Sequence, residues 1–153
     1  MLPPGTSASV SSTVSAKASA TAQPWRIGVA DDHSIMRAVY RTLLEDEPGF
    51  DLAWSAATLD EARKQMESDR PDLLIVDINM PDGDGLDFVR EVLPKSPKLR
   101  VLVISAHEER EYPEMARDCG AHGYLCKNST PTDVLAALDT LRKGEFNFGP
   151  GVS

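Results

Sequence analysis

Chemically reactive side chains stand at the ends of four apolar runs in this 153-residue sequence. Two adjacent aspartates, Asp31 and Asp32, follow the first run, and Asp77 ends the third. Ser105 ends the fourth run and Lys127 follows the fifth. If these runs are neighbouring strands of one sheet, then three carboxylates, a hydroxyl and an ammonium group meet in one pocket.

Three ionised carboxylates in one pocket repel one another, by roughly 4 kcal/mol for two charges about 4 Å apart at an intermediate dielectric. Such a pocket needs a cation or raised pKa values, and a hard, oxygen-ligated ion such as Mg²⁺ suits it. This chemistry favours phosphoryl transfer, in which Lys127 and Ser105 would each hold a phosphoryl oxygen. With Asp31 and Asp32 engaged by the metal, Asp77 is expected to be the nucleophile that forms an aspartyl phosphate.

The apolar runs that position these residues alternate with amphipathic stretches. They cover Arg26–Ala30, Phe50–Ser55, Leu73–Asp77, Leu99–Ser105 and Gly123–Cys126. Four of the runs are short and continuous, which is typical of strands covered on both faces. The second run alternates Phe50, Leu52 and Trp54 with less apolar residues, which predicts a less buried strand at a sheet edge.

The stretches between these runs predict five helices. Thr58 and Thr130 begin capping-box patterns, and Pro113 must lie in the first turn of the fourth helix or before it. The apolar face of the first helix comprises Ile35, Met36, Val39, Tyr40, Leu43 and Leu44. Alternating strands and helices predict right-handed crossovers and a flavodoxin-like, doubly wound (βα)₅ fold, with a five-stranded parallel sheet in the order 2-1-3-4-5.

These motifs together resemble the signature of the response-regulator receiver family. The matching elements are Asp31-Asp32, Asp77-x-x-Met80-Pro81-x-Gly83, Ser105-Ala106 and Tyr124-x-x-Lys127. Their order and spacing match the family over about residues 25–143. The resemblance implies that the chain catalyses only its own phosphotransfer and dephosphorylation, and is otherwise not an enzyme.

The resemblance also implies a role for each metal-site residue. Asp32 ligates Mg²⁺ directly and Asp31 assists through water, while Asp77 ligates the ion and accepts the phosphoryl group. The backbone carbonyl of Asn79 completes the protein ligands, and Lys127 pairs with the phosphoryl group.

Further residues receive switching or tuning roles from the same resemblance. Ser105 moves toward the phosphoryl group, while Tyr124 changes rotamer as the reporter of the switch. Ala106 leaves room for the phosphodonor, and His107, at the pocket rim like His33, lies at a position that tunes dephosphorylation together with Asn79. Asp82 and Asp84 are interpreted as turn and cap residues instead of ligands.

Subfamily features point to the NarL/LuxR type, in which a receiver precedes a DNA-binding domain. They are Asp31-Asp32-His33-Ser-Ile-Met-Arg37, Gly123-Tyr-Leu-Cys-Lys-Asn128 and Lys143-Gly-Glu-Phe. We predict a disordered leader over residues 1–24, a receiver over 25–143, and a linker or tail over 144–153 without an output domain. The expected partners are a sensor histidine kinase or a phosphotransfer protein, and a second copy of the chain on phosphorylation.

Composition restricts the partners and the cellular location. The net charge is −8 and the sequence pI is about 4.8, which argues against direct nucleic-acid binding by this segment. No apolar stretch is long enough to span a membrane, and a cytoplasmic protein is the simplest expectation.

Three alternative functions remain open at the level of sequence. The first is a stand-alone receiver that acts by binding another protein, and the second is a degenerate receiver that works without phosphorylation. The third is a Mg²⁺-dependent phosphohydrolase with an aspartyl-phosphate intermediate. That class is expected to carry Asp-x-Asp after the first strand, whereas the aspartates here are adjacent.

Overall fold

The computed structural model describes residues 23–106 and 111–148, and the remaining residues lie outside the description. The predicted leader falls almost wholly outside, as do His107 and the end of the predicted tail. Within the described ranges the elements are β1 (Trp25–Ala30), α1 (Ser34–Glu45), β2 (Phe50–Ala56), α2 (Leu59–Ser68), β3 (Leu73–Val76), β4 (Asn79–Met80), β5 (Gly83–Asp84), α3 (Gly85–Val92), a 3₁₀ turn (Leu93–Lys95), β6 (Arg100–Ser105), α4 (Glu111–Asp118), β7 (Gly123–Cys126) and α5 (Pro131–Arg142).

Five of the strands form one parallel sheet in the order β2-β1-β3-β6-β7. This is the predicted order 2-1-3-4-5 once the two-residue strands β4 and β5, which pair only with each other, are set aside. The predicted fold is therefore confirmed. The alternating strand β2 lies at an edge of the sheet, as its period of two predicted.

Side chains that alternate along the central strands supply two separate cores. Ile27 and Ile75 belong to the core beneath α1 and α5, whereas Leu74 and Val76 belong to the core shared by α2, α3 and α4. Both cores are apolar, so β1, β3 and β6 are buried on both faces and their sequences contain few polar residues.

The apolar face predicted for α1 is wider than the face that the sheet covers. Tyr40 and Leu44 are each 1% exposed, but Ile35 is 76% exposed and Val39 is 39% exposed. Ile35 and Val39 thus lie on the part of the predicted apolar face that the sheet leaves uncovered. Helical periodicity identifies an apolar stripe, but only packing decides how much of the stripe is covered.

The predicted helix starts are present. Thr130 and Asp133 form a reciprocal capping box at the start of α5. At the start of α2, the Thr58 hydroxyl accepts a hydrogen bond from the backbone N–H of Glu61. The Glu61 carboxylate accepts a hydrogen bond from the N–H of Ala57, whereas a full capping box would use the N–H of Thr58. Within the described ranges, no helix combines the length and the hydropathy that crossing a bilayer requires.

Candidate functional site

The pocket begins where β1 and β3 end side by side. Ala30 and Val76 are register partners, and the N–H of Asp77 donates to the carbonyl of Ala30 at 3.0 Å. Asp31 and Asp77 are buried, at 1% and 4% exposure, while the side chain of Asp32 is 35% exposed. One oxygen from each carboxylate lies within 4.8 Å of the others. The structure thus brings the three aspartates together.

Lys127 enters the same pocket from the end of β7. Its Nζ lies 2.7 Å from Asp77 Oδ2 and 3.1 Å from Asp31 Oδ1, and its side chain is 13% exposed. The backbone N–H of Lys127 donates to the carbonyl of Ser105 at 2.8 Å, which holds the start of this loop against β6. A largely buried ammonium group of this kind is stable because carboxylates pair with it.

The remaining predicted residues surround the pocket at different depths. Ser105 is fully buried at the end of β6, and Ala106 lines an open cleft that also borders Lys127. Tyr124 is 4% exposed and packs in the core on the α2–α4 face. The switching roles of Ser105 and Tyr124 stay predictions, and His107 lies outside the described residues.

The loop after Asp77 is held by the β4–β5 pair. The N–H of Asn79 approaches Asp77 Oδ1 at 3.4 Å, and the metal-binding role of the Asn79 carbonyl stays a prediction. Asp84 accepts the N–H of Leu86 at 2.7 Å and caps α3, in agreement with the prediction for that residue.

Asp82 caps a different helix from the one that follows it. Its carboxylate accepts the N–H groups of Leu59 at 2.8 Å and Asp60 at 3.0 Å, at the start of α2. These hydrogen bonds, that from Leu59 first, lower the pKa of Asp82. The loop that follows Asp77 is thereby tied to a second helix.

Comparison with known proteins decides the family. The model of the response regulator receiver domain matches residues 27–139. The chain belongs to this family. Its acidic pocket lies where the family signature in the sequence places it, at the carboxyl ends of β1 and β3.

The relatives of this receiver are of the NarL/LuxR type. The chain is 29% identical over 128 residues to the transcriptional regulatory protein DegU of Brevibacillus brevis, covering 84% of this chain and 54% of the relative. It is 31% identical over 121 residues to the oxygen regulatory protein NreC of Staphylococcus haemolyticus, covering 78% and 56%. This receiver therefore spans about half the length of these curated relatives.

Solved structures give the same classification. A two-component response regulator of the LuxR family from Aurantimonas sp. SI85-9A1 superposes with a TM-score of 0.79 at 28% identity, covering 85% of this chain and 93% of that one. The signal receiver domain of the response regulator NarL from Mycobacterium tuberculosis has a TM-score of 0.75 at 30% identity, covering 80% and 98%.

Two residues of the receiver pocket make contacts that were not anticipated from the sequence. His33, interpreted as a rim residue, places Nδ1 3.0 Å from Asp31 Oδ1 and 2.6 Å from Lys127 Nζ. Arg37 donates from Nη1 to the backbone carbonyl of Asp31 at 2.8 Å and so braces the end of β1. The sequence indicated these two residues only as members of the subfamily motif that runs from Asp31 to Arg37.

A glycine also supports the site. A Cβ atom added to Gly85 would lie 1.9 Å from the carbonyl oxygen of Asp77, which is well inside contact distance. The N–H of Gly85 donates to the carbonyl of Ile78 at 2.7 Å. The start of α3 can therefore approach the backbone of Asp77 only because residue 85 has no side chain.

The charges of the pocket fit a divalent cation. Three carboxylates against one Lys127 ammonium leave two negative charges uncompensated, while the donors are oxygens that hard cations prefer. The same field acts on Tyr40, whose pKa is raised by burial first and then by the charges of Asp31 and Asp77. The receiver thus has an acidic pocket suited to a metal ion.

Proposed function

We propose that this receiver accepts a phosphoryl group on Asp77 from a sensor histidine kinase or a phosphotransfer protein, with Mg²⁺ beside it. The observation that carries the proposal is the pairing of Lys127 Nζ with Asp77 Oδ2 at 2.7 Å, beside two further carboxylates. A nucleophilic carboxylate between an ammonium group and a cation site has the electrostatic surroundings that phosphoryl transfer requires.

In the proposed step, an Asp77 oxygen attacks phosphorus of a donor phosphohistidine. A P–O bond forms as the P–N bond breaks, and the electron pair of the P–N bond stays on the donor imidazole. Because the imidazole carries a proton on its other nitrogen, it leaves as a neutral ring. The Lys127 ammonium stabilises charge on one phosphoryl oxygen, and the Ser105 hydroxyl donates to another.

Four residues would hold the metal in this proposal. They are Asp31, Asp32, Asp77 and, through its backbone carbonyl, Asn79. Mg²⁺, when bound, would neutralise charge on a phosphoryl oxygen. Ala106, which lines the open cleft beside Lys127, leaves space for the donor to approach. Beyond its own phosphotransfer and dephosphorylation, we propose no further enzymatic activity.

The proposed output is control of transcription by a separate DNA-binding domain. DegU carries the name transcriptional regulatory protein, and this chain covers 54% of it. Ser105 and Tyr124 would transmit the switch, and phosphorylation would favour a homodimer. The net charge of −8 supports a role in which the receiver itself does not contact DNA. The cytoplasm is the proposed location.

The first test is intact-protein mass spectrometry after incubation with acetyl phosphate and Mg²⁺. We expect one phosphoryl adduct on the wild-type chain and none on Asp77→Asn, because the amide is not a nucleophile. EDTA should suppress the adduct, since the pocket charges then lack a divalent counterion.

Asp87→Asn is a matched control, because this aspartate is exposed on α3 and pairs with Arg90. It should be phosphorylated at the wild-type rate. An adduct that persists in Asp77→Asn would contradict the assignment of the acceptor. Sustained turnover of free phosphate esters would instead indicate a phosphohydrolase.

A further inference from the structure

His33 stands at the junction between the pocket and α1. It directly follows Asp31-Asp32 and is the residue at the N-cap of α1, yet its side chain makes no capping hydrogen bond. Its backbone N–H donates instead to Asp31 Oδ1 at 2.9 Å. The imidazole is 59% exposed as a whole, but Nδ1 lies among the pocket residues. An N-cap histidine therefore directs one ring nitrogen at the acidic pocket.

Two neighbours of Nδ1 favour opposite forms of the ring. Lys127 Nζ lies 2.6 Å from Nδ1 and can only donate, so Nδ1 accepts in this contact, whereas the 3.0 Å approach of Nδ1 to Asp31 Oδ1 would need a proton on Nδ1. In the tautomer with the proton on Nε2, the Nδ1 lone pair faces the pocket and can bind a cation. That cation is the Lys127 ammonium, which lies 2.7 Å from Asp77 Oδ2 and 3.1 Å from Asp31 Oδ1, or a metal ion in its place.

Two of the three distances from Nδ1 to the carboxylate oxygens match those between ligands of a small divalent ion. Nδ1 lies 3.0 Å from Asp31 Oδ1, 3.2 Å from Asp32 Oδ1 and 3.8 Å from Asp77 Oδ2. In octahedral coordination with bonds of about 2.1 Å, adjacent ligand atoms are about 3 Å apart and opposite ones about 4.2 Å apart. The first two distances are those of adjacent ligands, and the third lies between the two values.

We propose that His33 Nδ1 is a direct ligand of the metal ion in this pocket, alongside the aspartate oxygens, and that it shifts the preference of the site from Mg²⁺ toward Mn²⁺. Mg²⁺ favours an all-oxygen shell, whereas imidazole binds transition-metal ions more strongly, and Mn²⁺ accepts both nitrogen and oxygen ligands. This inference rests on the proposed function only in placing a divalent ion in the same pocket.

The direct test is pulsed EPR on the full chain loaded with Mn²⁺. A directly bound imidazole produces a ¹⁴N modulation in the electron spin echo, and we expect this modulation in the wild type. His33→Asn should lose it, since the replacement offers an oxygen donor of similar reach. His122→Asn is the matched control, because His122 accepts the N–H of Val101 elsewhere in the fold and should not affect the signal.

Competition between the two ions gives a second readout. Free Mn²⁺ measured by EPR during titration with MgCl₂ yields the ratio of the two dissociation constants. His33→Asn should lower the preference for Mn²⁺ by about tenfold or more, the size of effect found when supporting residues of metal sites are removed. His33→Ala should lower it in the same direction if loss of the nitrogen donor is the cause.

The outcomes separate this inference from the proposed function. If Asp77 is phosphorylated but the wild type has no ¹⁴N modulation, His33 is not a ligand and the proposal is overturned, while the receiver mechanism stands. If the modulation is present and depends on His33 but no adduct forms, the ligand assignment stands and the phosphorylation proposal fails. A modulation that persists in His33→Asn also overturns the proposal.

Discussion

Burial makes the carboxylates of the pocket unequal. Asp31 and Asp77 are almost fully buried and share the ammonium of Lys127, whereas Asp32 is the most exposed of the three. Removing one partner of a buried ion pair leaves the other charge without compensation, which is more costly than losing an exposed pair. Lys127 therefore has a structural role in the pocket in addition to its proposed role in phosphoryl transfer.

At the residue scale, Gly85 offers the sharpest steric prediction. We expect Gly85→Ala to lower the free energy of unfolding by at least about 2 kcal/mol, because the new Cβ would force α3 and the backbone of Asp77 apart. Urea denaturation followed by circular dichroism measures the loss. The rate of adduct formation from acetyl phosphate should fall as well, since Asp77 is displaced.

Gly144 provides the comparison for this prediction. It has φ +89°, and no atom of the described residues lies within 4 Å of the position that a Cβ would occupy. Gly144→Ala therefore meets backbone strain but no clash. Its cost should be about 1 kcal/mol, with no effect on the phosphorylation rate. Equal losses for the two variants would indicate that contact with Asp77 is not what requires a glycine at position 85.

At the element scale, residues 145–148 form a strap across one edge of the sheet. Asn147 bridges to Gly123 of β7, its N–H donating to the carbonyl of His122 and its carbonyl accepting the N–H of Tyr124. The strap thus occupies edge positions of β7 that would otherwise be open to another strand. The interpretation of residues 144–153 as a linker or tail does not anticipate this pairing.

Aromatic side chains attach the strap to the domain. Phe148 is 5% exposed and lies under the guanidinium group of Arg117 from α4, while Phe146 is 62% exposed and stacks on His122. Burial first, and the nearby Arg100 charge second, lower the pKa of His122 to about 4. His122 is therefore neutral at pH 7 and accepts the N–H of Val101.

We expect truncation of the two aromatic side chains of the strap to lower the free energy of unfolding by unequal amounts. Phe148→Ala should lower the free energy of unfolding by about 3 kcal/mol, because it removes a buried ring from the core beside α4. Phe146→Ala should cost less than about 1 kcal/mol, since that ring is mostly exposed. Urea denaturation of the two variants measures the difference, and similar losses would argue against burial as the anchor of the strap.

At the scale of the whole molecule, metal binding and folding stability are linked. An ion that binds only the folded receiver stabilises it, by about 2.7 kcal/mol when its concentration is one hundred times the dissociation constant. We expect Mg²⁺ to raise the urea midpoint of the wild-type chain. In Asp32→Asn most of this increase should disappear, because a proposed ligand is lost.

Without metal, the effect of Asp32→Asn on folding stability should be reversed. In EDTA, Asp32→Asn should be more stable than the wild type by about 1 kcal/mol, since one of three mutually repelling charges is removed. Asp87→Asn, remote from the pocket, should keep the full response to Mg²⁺. A wild-type midpoint that does not respond to Mg²⁺ would count against a divalent site in the pocket.

Much of this molecule follows from its sequence alone. Continuous apolar runs and amphipathic stretches determine which segments become strands and helices, and the capping pattern at Thr130 marks the start of α5. The carboxyl ends of parallel strands lie at one edge of a sheet, so Asp31, Asp77 and Lys127 had to converge once the strand order was given. These features depend on local patterns and on a general rule of topology.

Only the tertiary structure decided the contacts between separately formed elements. His33 meets Lys127 across 94 residues of sequence, Gly85 packs on the backbone of Asp77, and Phe148 is buried beside α4. Packing of α1 likewise left Ile35 exposed although it belongs to an apolar stripe. No local periodicity encodes such contacts, because each depends on how separately formed elements are placed against one another.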